Sequence, residues 1–340
     1  MDFTPTDEQT AARELAARIF GDLSTPDRLV AAGTGTDAEL WKALCSAGLT
    51  AAVEDVGLLG LVLLLEEQGR TTAQVPYAVT CAYGLLAVAR HGTEEQRARL
   101  LPGLRDGSTV ATGALDSSGA VRSGPGLTGT LSWVPWLRDA THVLVADADR
   151  TLWWVRVSDA QTEPVETTAP WSAGRLVLDG TPAERIGDER AYEDVLAASR
   201  IAFAGLQAGV CAGSLARAVQ HTTTREQFGR PLSTNQGVLI RAADAHMDTE
   251  AIRVTAYEAA WRYDDGLPCV THALTAAWWA SEAGKRVVHA GQHLHGGMGA
   301  DLDHPVHRHF LWGRQLDAYL GCGSEVLAEL GALLAKEEAL

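Results

Sequence analysis

Two stretches carry side chains spaced for chemistry. The first, HLHGGMGADLDHPVHRHF at 293–310, gathers five histidines, three glycines and two aspartates. Just upstream, His289 stands four residues before His293, a spacing that puts two imidazoles on one helix face as a metal pair would need. No third ligand is fixed by the sequence, and the glycines are more simply read as letting a backbone approach a bound molecule closely. No metal is therefore expected, and His304, His307 and His309 read as caps or lining of the last helix. The second stretch is TTTREQFGRPLSTNQ at 222–236. Here Arg225 ends a helix, Phe228 and Gly229 break it, and Pro231 turns the chain. Ser233, Thr234 or Asn235 can then cap a new helix beginning near Gln236. The bare N–H groups of that helix start, with a guanidinium one turn away, suit a pyrophosphate, and Phe228 offers a flat face to a ring. The same residues also describe a plain helix corner with Arg225 solvated and Phe228 in the core.

The elements that must position these stretches follow from punctuation and periodicity. Thr6 with Gln9, Thr36 with Glu39 and Thr93 with Gln96 each set a hydroxyl three residues before a Glu or Gln, the pattern of a helix start. Apolar stripes between them end at Gly48, Gly69 and Gly92. From about residue 108 the texture changes to short runs, LTGTLSWV (127–134), THVLVAD (141–147), TLWWVRV (151–157) and RLVLDG (175–180), separated by turn residues. Four long helical stretches follow, at roughly 189–224, 234–265, 269–294 and 304–337, and suggest a bundle. The expected division is an N-terminal helical domain at 1–107, a small middle β-domain at 108–188 and a C-terminal four-helix bundle at 189–340, an α+β chain.

Composition narrows the function. With 28 basic and 43 acidic residues the net charge is −15, which excludes sustained binding to a nucleic-acid backbone. The five cysteines are scattered without a CxxC spacing and the N-terminus has no basic-then-apolar leader, so a reducing cytoplasm is expected. The run VGLLGLVLLL at 56–65 is half the length of a bilayer span and meets Glu66 and Glu67, so it reads as a buried helix and no membrane partner is expected.

The order of helical, β and helical parts, with REQFGRPLSTNQ in the first break of the bundle and HGGMG in the second, resembles the acyl-CoA dehydrogenase family along nearly the whole chain. The resemblance implies a flavoprotein that uses FAD to introduce an α,β double bond into an acyl-CoA thioester and passes electrons to an electron-transfer flavoprotein. By the same resemblance Arg225, Gln227, Phe228, Leu232 and Gln236 match positions that reach an FAD bound mainly by a neighbouring subunit, and His293, Leu294, Gly296 and Gly297 extend that site. His293 stands where the family usually has Gln.

Several family features are missing. The Thr-Glu-Pro and Gly-Ser-Asp type motif beside the flavin ring is replaced by ALDSSGAVRSG (114–124). The Tyr-Glu-Gly sequence that carries the base reads Tyr319-Leu320-Gly321, and leucine cannot accept a proton. The alternative base position, before an Arg in the bundle's first helix, is Ser199 before Arg200, a neutral hydroxyl. Glu193 and Asp194 read as first-turn carboxylates suited to the helix N-terminus. No catalytic residue is therefore assigned. Residues serving a neighbour's cofactor are kept and those serving the chain's own are lost, which resembles the short base-less subunit of actinobacterial heterotetrameric (α2β2) dehydrogenases of steroid side chains. There a homologous subunit carries the catalytic Glu. Two other readings stay open: a homomeric enzyme with its base displaced to Glu250, Glu258 or Glu325, and a flavin-free structural or interaction protein.

Overall fold

The computed structural model describes all residues except 1, 116–119, 303 and 338–340. Helices α1 (Asp7–Leu23), α2 (Pro26–Ala32), α3 (Ala38–Ser46), α4 (Val53–Thr71), α5 (Tyr77–Val79), α6 (Ala87–His91) and α7 (Glu94–Asp106) come first, with a π-helical segment Thr80–Leu86 joining α5 to α6. Capping boxes open α1 and α7. The Gln9 N–H donates to Thr6 Oγ1 at 3.2 Å and the Gln96 N–H to Thr93 Oγ1 at 3.2 Å, each with the reciprocal bond to the glutamine side chain. The third expected cap is different. Asp37, not Thr36, caps α3 by accepting the Leu40 N–H, because Thr36 Oγ1 donates instead to Asp139 at 2.6 Å.

The strands are β1 (Ala111–Ala114), β2 (Val121–Arg122), β3 (Leu127–Val134), β4 (His142–Ala146), β5 (Leu152–Arg156), β6 (Gln161–Pro164), β7 (Gly174–Thr181) and β8 (Ala183–Ile186). They form two four-stranded sheets, ordered β1-β4-β5-β8 and β2-β3-β7-β6, in which only the β1–β4 pair is parallel. Alternate inward residues of both, among them Leu131, Val143, Val155 and Leu176, share one buried core.

The C-terminal helices are α8 (Ala191–Thr224), α9 (Gln236–Asp264), α10 (Val270–Leu294), α11 (Val306–Leu316) and α12 (Gly323–Glu337). The last stretch expected as one helix is therefore two. The break holds Gly321 at φ +102°, and the Glu325 carboxylate accepts the Cys322 N–H at 3.0 Å to start α12 afresh. Gly69 does not end α4, which runs on to Thr71. Gly69 instead lies against the Leu206 carbonyl of α8, while Gly205, Gly209 and Gly213 of α8 meet Val62, Glu66 and Arg70 of α4 so closely that a Cβ at any of them would collide with backbone or a fixed side chain. Four-residue spacing stacks the three glycines on one face, and two backbones meet along it.

Two compact units result: residues 1–21, 58–73 and 200–340 in one, and 22–57 and 74–199 in the other. N-terminal helices, middle sheets and C-terminal helices follow one another in the order expected from the sequence. Of the described helices, α8 alone is long and apolar enough to cross a membrane, and 89% of its most apolar window is buried inside the protein.

Candidate functional site

The stretch after α8 folds into a two-residue hairpin. Strands β9 (Glu226–Gln227) and β10 (Arg230–Pro231) pair with Gln227 opposite Arg230 and Glu226 opposite Pro231. Phe228 at φ +54° and Gly229 at φ +76° form the turn, so the chain reverses there and not at Pro231. Two positive φ values are the signature of the tight turn that matches strand twist, and its first place normally takes Asn, Asp or Gly. A phenylalanine there is a local misfit, and its side chain is 101% exposed. The core placement that a plain corner would give Phe228 is thus ruled out within this chain.

The hairpin is tied back by the Leu232 N–H, which donates to the Arg225 carbonyl at 2.9 Å. Arg225 itself continues the helical pattern, its N–H bonded to the His221 carbonyl at 2.8 Å, while its guanidinium is exposed and has no ion-pair partner among the described residues. Asn235, one of three candidates for the cap, accepts the Gly237 N–H at 2.9 Å and so starts α9 at Gln236. Gln227 and Gln236 are exposed and Leu232 is half-buried.

The 293–300 segment joins the end of α10. His293, Gly296 and Gly297 are exposed and Leu294 is buried. Gly296 sits at φ +62° just past the helix end, a position that would itself select glycine. Gly297 faces open space, so nothing inside the chain requires it. His289 packs its ring against Phe310 at 4.9 Å, and among the described residues no three His, Cys, Asp or Glu side chains are placed to hold a metal. His304 Nδ1 accepts the Val306 N–H at 3.3 Å and so caps α11, and His309 is buried between the Arg70 and Pro305 carbonyls.

Neither of the two positions expected for a base, 199 and 320, carries a carboxylate. Leu320 is half-buried in the turn before Gly321, and Ser199 is fully buried with no hydrogen-bond partner for its Oγ among the described residues. The other carboxylates are engaged locally. Glu250 pairs with Arg253, Glu258 with Arg262 at 3.1 Å, and Glu325 caps α12. Glu193 pairs with Arg150 at 2.6 Å and Asp194 with His91 at 2.7 Å and Arg90 at 3.1 Å. Of the loop ALDSSGAVRSG, residues 116–119 lie outside the described structure.

A group that the sequence reading passed over stands beside these residues. His221 stacks on His295 with centroids 4.7 Å apart, and His295 lies 4.9 Å from His304. Arg217, half-buried, makes no hydrogen bond or ion pair among the described residues, and burial lowers its pKa. The signal was available: Arg217, His221 and Arg225 recur every four residues and so share a face of α8.

Residues 6–108 match the acyl-CoA dehydrogenase N-terminal domain and residues 189–332 the acyl-CoA dehydrogenase C-terminal domain. The acyl-CoA dehydrogenase FadE27 of Mycobacterium tuberculosis is 33% identical across the full length of both chains. The chain belongs to the acyl-CoA dehydrogenase family. Among solved acyl-CoA dehydrogenases, a chain of the Tcur3481-Tcur3483 steroid ACAD is 40% identical, with a TM-score of 0.93 over 98% of this chain and 99% of that one. A chain of the ChsE4-ChsE5 complex from Mycobacterium tuberculosis is 31% identical, with a TM-score of 0.92 over 98% and 99%. Acyl-CoA dehydrogenases typically bind FAD and oxidise a CH–CH bond of an acyl-CoA.

Proposed function

We propose that this chain is the base-lacking, FAD-supporting subunit of a heteromeric acyl-CoA dehydrogenase, paired in an α2β2 heterotetramer with a homologous subunit that carries the catalytic Glu. The substrate is an acyl-CoA, with a steroid side chain as its acyl group, in line with the steroid ACAD named among its relatives. The observation that carries this reading is an asymmetry. Both positions expected for a base hold neutral groups, while Arg225 and Phe228 extend into solvent with no partner among the described residues to account for them. Arg225 and Arg217 suit the diphosphate of FAD, and the Phe228 ring suits a flat or apolar surface. Gln227, Leu232, Gln236, His293, Leu294, Gly296 and Gly297 line the same support. FAD supplies the two-electron acceptor when bound, while the chain's own part is to hold and orient it.

A homomeric enzyme would need a base from Glu250, Glu258 or Glu325, and each of these is already engaged in its own helix or helix start. A partner of like fold is further supported by α9, which exposes Leu239, Ile240, Met247 and Val254 beside a cleft of about 810 Å³ shared with α10. Co-expression with the homologous subunit tests the reading. The pair should be yellow, tetrameric and active on a steroid-side-chain acyl-CoA, and this chain alone should be neither yellow nor active. A flavin-loaded, active homomer would refute it.

A further inference from the structure

Three histidines from three places in the chain meet where, among the described residues, cationic groups outnumber carboxylates. His221 comes from α8, His295 from the end of α10 and His304 from the turn before α11, with ring centroids 4.7 and 4.9 Å apart. The His295 Nδ1–H donates to the Gly291 carbonyl at 2.7 Å, which leaves Nε2 bare. His304 Nδ1 accepts the Val306 N–H, which places its proton on Nε2. Both bonds fit neutral rings, and a second proton on His304 would go to Nδ1 and release the Val306 N–H.

The charged groups that bear on the stack are mostly cationic. Arg217 on α8 and Arg225 just past its end lie one turn to either side of His221, and from α11 His309 stands near both Arg217 and Arg308. Among the described residues Asp301 alone raises the pKa of His304. Burial, with the neighbouring rings and arginines, holds His221 and His304 below the usual value of 6.5. Arg217 is the second, independent sign: a half-buried guanidinium without a partner among the described residues is costly unless an anion joins it.

We propose that His221 and His304, packed on either side of His295, form with Arg217 and Arg225 a proton-linked receptor for a diphosphate diester, which acquires its full positive charge only as the anion arrives. This rests on the FAD-supporting role above and extends it to residues and a regulation not contained in it. A diphosphate also occurs in coenzyme A, so the chemistry is shared by two ligands of such an enzyme. The sign follows from linkage. A dianion raises the pKa values of His221 and His304, which are depressed without it, so binding takes up protons, and affinity rises as pH falls through the ligand-bound values until the free rings also protonate.

The test is calorimetry of the flavin-stripped complex with FAD near neutral pH, in two buffers of different ionisation enthalpy. FAD, ADP-ribose and dephospho-coenzyme A all carry a diphosphate diester whose own charge is constant over this range. FAD binding should take up roughly half to one proton and be about tenfold tighter near pH 6 than near pH 8. His221→Phe with His304→Asn, which keeps ring bulk at one site and the cap acceptor at the other, should remove most of the uptake. Arg217→Gln should weaken binding about tenfold at every pH. FAD binding without proton uptake, or uptake unchanged in the histidine variant with a normal melting profile, overturns the receptor and leaves the proposed function standing. A complex that binds no FAD at any pH overturns both. Proton uptake with dephospho-coenzyme A but not with FAD or ADP-ribose would keep the proton link, move the site to the substrate and remove the flavin role from 222–236.

Discussion

Replacing Phe228 by glycine should separate what this residue costs the chain from what it does for an assembly. The ring is fully exposed and the backbone sits at φ +54°, so no internal packing is lost on its removal. A left-handed conformation costs a non-glycine residue roughly 1–2 kcal/mol, and glycine returns about 0.5–1 kcal/mol of that through the freer unfolded chain. Phe228→Gly should therefore leave the chain as stable as before or more stable by up to about 1 kcal/mol. In the complex the balance reverses. A phenylalanine buried against flavin or partner is worth about 1.5–3 kcal/mol, so affinity for FAD or for the partner should fall by ten- to a hundred-fold. Urea unfolding of the dilute chain by tryptophan fluorescence gives the first quantity, and FAD titration with sedimentation of the complex gives the second. Unchanged affinity for both ligand and partner would show that the ring contacts neither. A loss of more than about 1 kcal/mol in the chain alone would show that it is anchored internally.

Arg225→Ala should cost the complex about ten- to a hundred-fold in FAD affinity, with activity partly restored by excess FAD, whereas Leu320→Ala should leave turnover nearly unchanged; both are read from flavin absorbance and steady-state rates. Flavin absorbance against protein mass should give one FAD per unlike pair, and one per chain would mean that 114–124 still cradles a ring. Gly209→Leu should destabilise the chain by several kcal/mol or prevent folding, because the backbone of Glu66 occupies the space of the new side chain. His309 is buried with its pKa pushed down to about 4 against 6.5 when unfolded. The unfolded chain therefore binds more protons between those values, and stability should fall by up to roughly 3 kcal/mol as pH drops from 6.5 towards 4. His309→Gln should flatten that slope in urea midpoints measured across the range.

Much of this was legible from local rules. Capping boxes at Thr6 and Thr93 need only four neighbouring residues, and β3 coincides with the alternating run at 127–134. The capping of α11 by His304 was likewise in reach. Other features depended on distant groups. Thr36 lost its expected cap to Asp139, a residue 103 positions away. Gly69 read as a helix end because glycine often is one, but the Leu206 backbone explains it better. Pro231 drew the turn assignment because proline usually makes turns, whereas a phenylalanine at positive φ is not an outcome that propensity favours.

By itself the sequence determined the class of chain, the order of its helical and β segments, and that positions 199 and 320 carry neutral side chains. Those rest on composition, periodicity and side-chain identity, which need no partner in space. Tertiary structure decided which segments pack together, placing part of α4 in one compact unit with the C-terminal helices through contacts between backbones that have no pattern of their own along the chain. It also decided that Phe228 faces solvent and that three histidines up to 83 residues apart come into ring contact near Arg217, which has no partner among the described residues. Exposure and the meeting of charges are properties of where chain segments come together, and nothing local to 217–228 or 295–304 encodes the other segment.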